Sequence, residues 1–278
     1  MDFKSIVSHI ESLPPLNDTA HLVRELYRDG SGEINLKDLV EIVETDALLV
    51  ANILKMINAP YYGFSNKISS ITQAITLFGT QIISGLVLKY SIESVVIANL
   101  RSYGVSNAKF NEICHLQSTL LLKWYSTINS KHARILAPLA LIMESGKLVI
   151  AQEVTHTANI KEYLIQFSEA KSVTEFENDI FGTTSYYVSG LLFEHWNLDT
   201  LYVNLLKGLD YEHTTNDKLR YYLDVLDVVR KVVNVKEVFT KKSISNAVEI
   251  VEDMNLDVNI FLKIIKEMKK EYDRGYIL

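Results

Sequence analysis

The sequence predicts an all-α protein, and two observations carry that prediction. Nearly every segment with a clear hydrophobic period has the helical one, with apolar residues recurring three and four apart. No alternating run is long enough to suggest a sheet, and only four prolines and eleven glycines punctuate the 278 residues. With 48% hydrophobic and 22% charged residues, the chain has the composition of an ordinary globular protein. Its length suits one large domain or two packed lobes.

The opening MDFKSIVSHIESLPPL is amphipathic, carries acidic residues and lacks an uninterrupted apolar stretch, so a secretory signal is not expected. DTAHLVRELY predicts the first helix, with Ala20, Val23 and Tyr27 on one face. YRDGSGEINLKD, residues 27–38, then invites comparison with a calcium loop. Placing Ile34 at position eight and Gly32 at six puts Tyr27 at the first ligand position and Asp38 at the last. A loop without its first carboxylate and without a bidentate Glu at its end lacks the charge and coordination that calcium requires. The plainer reading is a turn at Asp29–Gly32, with Asn35 as N-cap and Asp38 in the first turn of the next helix. That helix, or pair of helices, runs to a C-cap at Asn58, because Pro60 disfavours helical geometry at Ala59.

Ser70-Ile71-Thr72-Gln73 fits a capping box and starts a helix with Ile71, Ala74, Ile75 and Phe78 on one face. Gly79 ends it, and Thr80 is the expected cap of the long apolar helix that follows. Two helices joined by a glycine suggest a DNA-reading pair. However, TQIISGLVLKY offers a single lysine where phosphate contacts need several cations. The net charge of −6 also gives no broad attraction to nucleic acid or to an anionic membrane. Lys89 and Glu93 interrupt the apolar stretch 81–100, which predicts a buried helix and not a membrane span. Cys114 is the only cysteine, so no internal disulfide is possible, in keeping with a reducing cytoplasm.

RSYGVSNAKF, residues 101–110, is the predicted linker between an N-terminal lobe, 1–100, and a C-terminal lobe, 101–278. Helices follow in FNEICHLQSTLLLKWYSTI, ILAPLALIMESGKLVIAQEV and TTSYYVSGLLFEHWNL. Two later ones carry Leu219, Tyr222, Leu223, Leu226 and Phe261, Ile264, Ile265, Met268. There is no internal repeat.

LIMESGKLVI, residues 141–150, is the stretch that most invites a functional reading, because a helix breaks at a glycine among Glu144, Ser145 and Lys147. Glu144 and Lys147 are three apart and can meet, so a structural ion pair is expected, with Glu144 at the surface. Ser118 and Ser185 have no identifiable base, and Cys114 and His115, adjacent on a helix, do not face each other; neither pattern predicts a nucleophile. His195 beside Trp196 reads as a capping or packing residue. Tyr61-Tyr62 and Tyr186-Tyr187 are candidate interface aromatics, with at least one of each pair expected in the core.

Several of these stretches resemble the HDOD signalling domains, non-enzymatic relatives of the HD-type metal phosphohydrolases. LPPLNDTAHLVREL resembles the family's opening Leu-Pro segment and first helix. LVEIVETDALLVANILKMINAPYYG, 39–63, is similar to its helix and Asn-Ser-Ala-x-Tyr-Gly turn. ISSITQAITLFGTQIISGLVL, 68–88, is similar to its Ile-x-Ser-Ile-x-x-Ala-Ile-x-x-Leu-Gly segment, and MESGKLVI and GLLFEHWNL match more loosely. The resemblance covers roughly residues 13–213 and implies an HD-domain-like helical bundle in two packed lobes. In the metal-dependent relatives a His-Asp doublet precedes an Ile-Gly-Lys. Aligned on Gly146 and Lys147, that doublet falls on Met143 and Glu144, with Ser145 next. Met is a poor ligand for a hard ion and the imidazole is absent. The upstream ligand histidine falls on His115 or Gln117. The resemblance therefore implies a degenerate metal site at His115, Gln117, Glu144, Ser145 and Lys147, with no metal, no cofactor and no catalysis. It also implies a regulator that meets signalling proteins in trans, in motility or cyclic-dinucleotide pathways, without nucleic acid or membrane insertion. Asn58, Tyr61 and Tyr62 are the expected partner contacts. The alternatives are a phosphohydrolase with an unusual metal set, or a sensor holding a nucleotide between the C-terminal helices.

Overall fold

Apolar stripes at helical spacing bury themselves against one another throughout the computed structural model, which describes residues 2–27, 34–59, 62, 64, 66–157, 159–209 and 217–275. Helix α1 spans Phe3–Ser12, α2 Asp18–Glu25, α3 Leu36–Glu44, α4 Ala47–Ile57, α5 Ile71–Phe78 and α6 Thr80–Val95. After a 3-10 turn at Leu100–Tyr103 come α7 (Asn107–Tyr125), α8 (Ser130–Ile142), α9 (Gly146–Thr157), α10 (Ile160–Glu169) and α11 (Val173–Phe181). The chain continues through α12 (Ser185–His195), α13 (Thr200–Gly208), α14 (Asp217–Val232), α15 (Lys241–Asp253) and α16 (Val258–Gly275). Among the described residues there is no strand, only an isolated bridge between Val233 and Val238.

Local chemistry sets the helix boundaries. Asn35 caps α3 by accepting from the Lys37 amide, as its position suggested, and Ser70 caps α5 by accepting from the Gln73 amide. The reciprocal bond of the capping box goes to the Ser69 amide, which donates to Gln73 Oε1. Thr80 does not cap α6; it is already helical, and Gly79 serves both helices at φ +85°. That backbone conformation is open to glycine at little cost and turns the chain by 119°. The Asp29–Gly32 turn lies outside the described residues. A helix absent from the predicted set, α1, precedes α2, capped by Asp2 and burying Ile6 and Ile10.

The central pair is α7 and α8, with α6 laid across α8, and α14 and α16 against α7. Elements α2 to α5 gather around α6, whereas α1 crosses over to α9 and α12. The 101–110 stretch is a packed corner. Tyr103 is buried, Gly104 turns in the left-handed region, and Ser106 caps α7. Among the described residues, one helical stretch, Ser130–His156, is long and apolar enough by length and composition to cross a membrane. It comprises α8 and α9, and 89% of its apolar window is buried in the interior, as core helices are.

Candidate functional site

The break between α8 and α9 is where the chain concentrates buried charge. Glu144, Lys147 and Glu177 are all essentially inaccessible. The Glu144 carboxylate uses both oxygens: Oε1 accepts from Gln117 Nε2 at 2.8 Å and from the Tyr186 hydroxyl at 3.0 Å. Oε2 meets Lys147 Nζ at 2.5 Å. The ammonium also donates to Ser185 Oγ at 2.7 Å, lies 3.9 Å from Glu177 Oε1, and faces the Tyr186 ring at 4.6 Å. Glu177 is held in turn by the Tyr103 hydroxyl at 2.8 Å and the Ser185 amide at 2.7 Å. Five segments therefore meet in this cluster: the α8–α9 break, α11, the start of α12 and the 3-10 corner at the cation, and α7 through the bond from Gln117 to Glu144. Gln117 Nε2 adds a bond to the Val233 carbonyl at 2.8 Å. Arg230 also lies 4.5 Å from the Tyr186 ring and donates to Asp227 Oδ1 at 2.5 Å.

Close approach of α9 and α12 makes the cluster possible. The Gly146 amide donates to Ser189 Oγ at 2.7 Å, and a Cβ there would lie 2.0 Å from the Ser185 carbonyl oxygen. No side chain fits, which is why the break carries glycine.

This arrangement corrects the placement of Glu144 at the surface: the carboxylate is fully buried, though it forms the expected ion pair with Lys147. Burial pulls its pKa upward, but the Lys147 charge and the bonds from Gln117 and Tyr186 outweigh that and hold it below the usual carboxylate value. Burial likewise disfavours the Lys147 ammonium, and Glu144, Tyr186 and Glu177 overcome it, raising its pKa well above the ordinary lysine value. A lysine held protonated cannot act as base toward Ser185, so their 2.7 Å contact is not a nucleophile and its base. Cys114 is no better placed, since burial pushes its thiol up to about 12.

The donor set does not fit a hard divalent ion. Among the described residues no three His, Cys, Asp or Glu side chains gather as a metal site. The lysine cation already occupies the carboxylates. Of the two positions left open for the upstream histidine, Gln117 belongs to the cluster. His115, two residues earlier, lies apart from it and lines a cleft bordered by α4, α7 and α16. Ser145 Oγ only closes the turn, donating to the Ile142 carbonyl at 2.6 Å.

The expected partner contacts lie elsewhere, at the end of α4. Asn58 is a clasp: Nδ2 donates to the Leu54 and Ile68 carbonyls, and Oδ1 accepts from the Ile68 amide. Tyr62 is half-buried, edge-on to Phe78 at 5.0 Å and stacked on Phe64 at 6.3 Å. Tyr61 lies outside the described residues. Of the other pair, Tyr186 is core, as expected for one of the two. His195 lies 3.2 Å from the Leu13 carbonyl, and Trp196 Nε1 donates to the Pro14 carbonyl, so both pin the Leu-Pro segment.

The family model of the HDOD domain matches residues 13–210. The chain belongs to the HDOD family. Solved structures share its fold. A virulence factor from Campylobacter jejuni subsp. jejuni is 23% identical, with a TM-score of 0.58 over 96% of this chain and 98% of its own. A provisionally described phosphohydrolase from Shewanella amazonensis is 14% identical, TM-score 0.70, covering 96% and 97%. A provisionally described signal transduction protein from Marinobacter aquaeolei is 15% identical, TM-score 0.71, covering 99% of this chain and 63% of its own. Among curated proteins none matches.

The polar cluster of this HDOD chain gives its stability a defined pH dependence. A lowered carboxyl pKa stabilises fully above the unfolded carboxylate value of about 4.3, and that stability is lost as pH falls through the folded value. A raised lysine pKa stabilises fully below about 10.4 and is lost as pH rises through the folded value. The urea midpoint of the protein, minus that of the Glu144→Gln/Lys147→Met double variant, is thus expected to be constant between about pH 5 and 10. It should shrink below that window and again above it. A difference independent of pH down to acid unfolding would show that the pair is not ionised.

Proposed function

We propose that this HDOD protein is a non-catalytic regulator of bacterial signal transduction, acting through protein contact in the cytoplasm. One observation supports this most: at the position aligned with the metal-binding doublet, the carboxylate is occupied by Lys147. A metal-dependent hydrolase needs an open coordination position and a bound water of lowered pKa. Here Gln117 and Tyr186 use one oxygen of the carboxylate, and the Lys147 ammonium stands against the other, a cation where a metal ion would have to sit. The similarity in fold to a protein described as signal transducing favours the same reading, and control of motility or of cyclic-dinucleotide signalling suits the family.

The contact we favour is the aromatic edge beside the α4 turn. Asn58 and Tyr62 serve the fold, whereas Phe64, 43% exposed and packed edge-on to Phe78 at 5.6 Å, presents an aromatic ring to solvent. Exposed aromatics supply hot-spot energy of about 2 kcal/mol or more when buried by a partner. Immobilised protein should capture a signalling protein from its native cell, identified by mass spectrometry. Phe64→Asp should weaken that capture by about tenfold or more with helical circular dichroism unchanged. Undiminished capture by the folded variant would remove this edge as the contact. Phosphodiester turnover without any captured partner would remove the regulatory reading.

A further inference from the structure

Helix α15 carries its charges in the opposite sense to the one its own dipole favours. Lys241 and Lys242 open it, with no acid in the first turn, and Glu249, Glu252 and Asp253 close it, with no base in the last. Acids stabilise a helix near its N-terminus and bases near its C-terminus, so this distribution does not serve the stability of the helix itself. All five residues are exposed, and among the described residues none of them has an ion-pair partner within the chain. Ser243, Ala247 and Val251 turn inward, where α14 and α16 pack against the helix. The outer face is left to the five charges and to Ser245. This helix also lies beyond residues 13–210, the span that the family model matches.

At about 100° per residue, Lys241, Ser245 and Glu252 run along one margin of that face, and Lys242, Glu249 and Asp253 along the other. A strip that is positive at one end and negative at the other complements itself when turned end over end. We propose that α15 is a homodimerisation surface, paired antiparallel with α15 of a second copy about a two-fold axis at the height of Ala247. Residues equidistant from that axis on the same margin then face each other. Lys241 meets the partner's Glu252 and Lys242 the partner's Asp253, each twice by symmetry. Ser245, small and next to the axis, stands opposite the partner's Glu249 and lets the helices approach. A parallel pairing would set lysine against lysine and acid against acid, so charge alone selects the antiparallel one. One helix of 13 residues against its copy buries less than the roughly 1,200–2,000 Å² of a stable interface, so the association is weak and sensitive to salt. The pairing is independent of partner capture through Phe64, since it uses only α15.

The test is sedimentation equilibrium of the full chain at about 1–300 µM, in about 50 mM and about 500 mM NaCl. A monomer–dimer equilibrium is expected at the lower salt, with a dissociation constant of about 1–300 µM that rises about tenfold or more at the higher. Lys241→Glu/Lys242→Glu makes the strip wholly acidic, and Glu252→Lys/Asp253→Lys makes it wholly basic, so each variant alone should stay monomeric. Mixed, the two regain every opposed pair and should form a heterodimer with an affinity within about tenfold of the native homodimer. Circular dichroism checks that both remain helical. Should either fail to fold, the salt dependence of the unaltered chain decides, together with the fourfold swap Lys241→Glu/Lys242→Glu/Glu252→Lys/Asp253→Lys, which should dimerise again. A chain that is monomeric throughout at the lower salt, or a dimer indifferent to salt, would overturn the proposal. So would dimerisation of either single-sign variant alone, or a mixture of the folded variants that stays monomeric.

Discussion

Glu144→Ala is expected to destabilise the fold by about 3–5 kcal/mol, the range for removing one partner of a buried ion pair. The variant leaves the Lys147 ammonium in the interior with Ser185 and the Tyr186 ring as its nearest neighbours, and Glu177 at 3.9 Å offsets only part of the loss. Gln117 and Tyr186 lose their acceptor in the same step. A surface carboxylate would have changed stability by only about 0.5 kcal/mol. Urea denaturation of both proteins reads the difference directly. A second variant separates the charge from the packing: Glu144→Met with Lys147→Met removes both ions and should recover most of the loss. A single Glu144→Ala substitution that shifts the midpoint no more than a surface change would contradict the burial of the pair.

Gly146→Ala is the other large expected effect. The added Cβ would meet backbone, not the end of a flexible side chain: the Ser185 carbonyl oxygen at 2.0 Å and the Ser189 amide nitrogen at 2.7 Å. Neither can yield unless α9 and α12 separate. Their separation would break the Gly146–Ser189 bond and draw Lys147 away from Ser185. Overpacking ordinarily costs about 1–3 kcal/mol, and a clash with backbone on two sides belongs at or above the top of that range. Denaturant midpoints check it, with Ser145→Ala as the control, since Ser145 only bonds within its own turn. Because Gly146 and Glu144 flank one break, their effects should not add.

Part of this site could be read from the sequence because it is local. Glu144 and Lys147 are three apart at a helix break, and that spacing alone pairs them. Asn35 and Ser70 were recognisable as caps for the same reason, since capping is decided within a single turn. The rest depends on contacts between distant segments. Glu177 sits in VTEFENDIF, where nothing in the local pattern distinguishes it from a solvated acid; it is buried, and its partners are the Tyr103 hydroxyl, the Lys147 ammonium and the Ser185 amide. Tyr103 fell in a stretch whose Gly, Ser and Asn content suggested a linker. The corner closes because the tyrosine ring packs inward, edge-on to Phe167, and its hydroxyl reaches Glu177. His115 and Gln117 could not be told apart along the chain. Two residues on one helix point to different faces, and only the surrounding helices decide which face meets Glu144.

The most direct test of the closed cluster is metal content and phosphodiester hydrolysis measured on the same purified protein, incubated with excess Mn²⁺ and then desalted. With Glu144 engaged by Lys147, Gln117 and Tyr186, retained metal should be substoichiometric, and turnover should equal that of Glu144→Gln. Stoichiometric metal accompanied by hydrolysis that Glu144→Gln abolishes would contradict it.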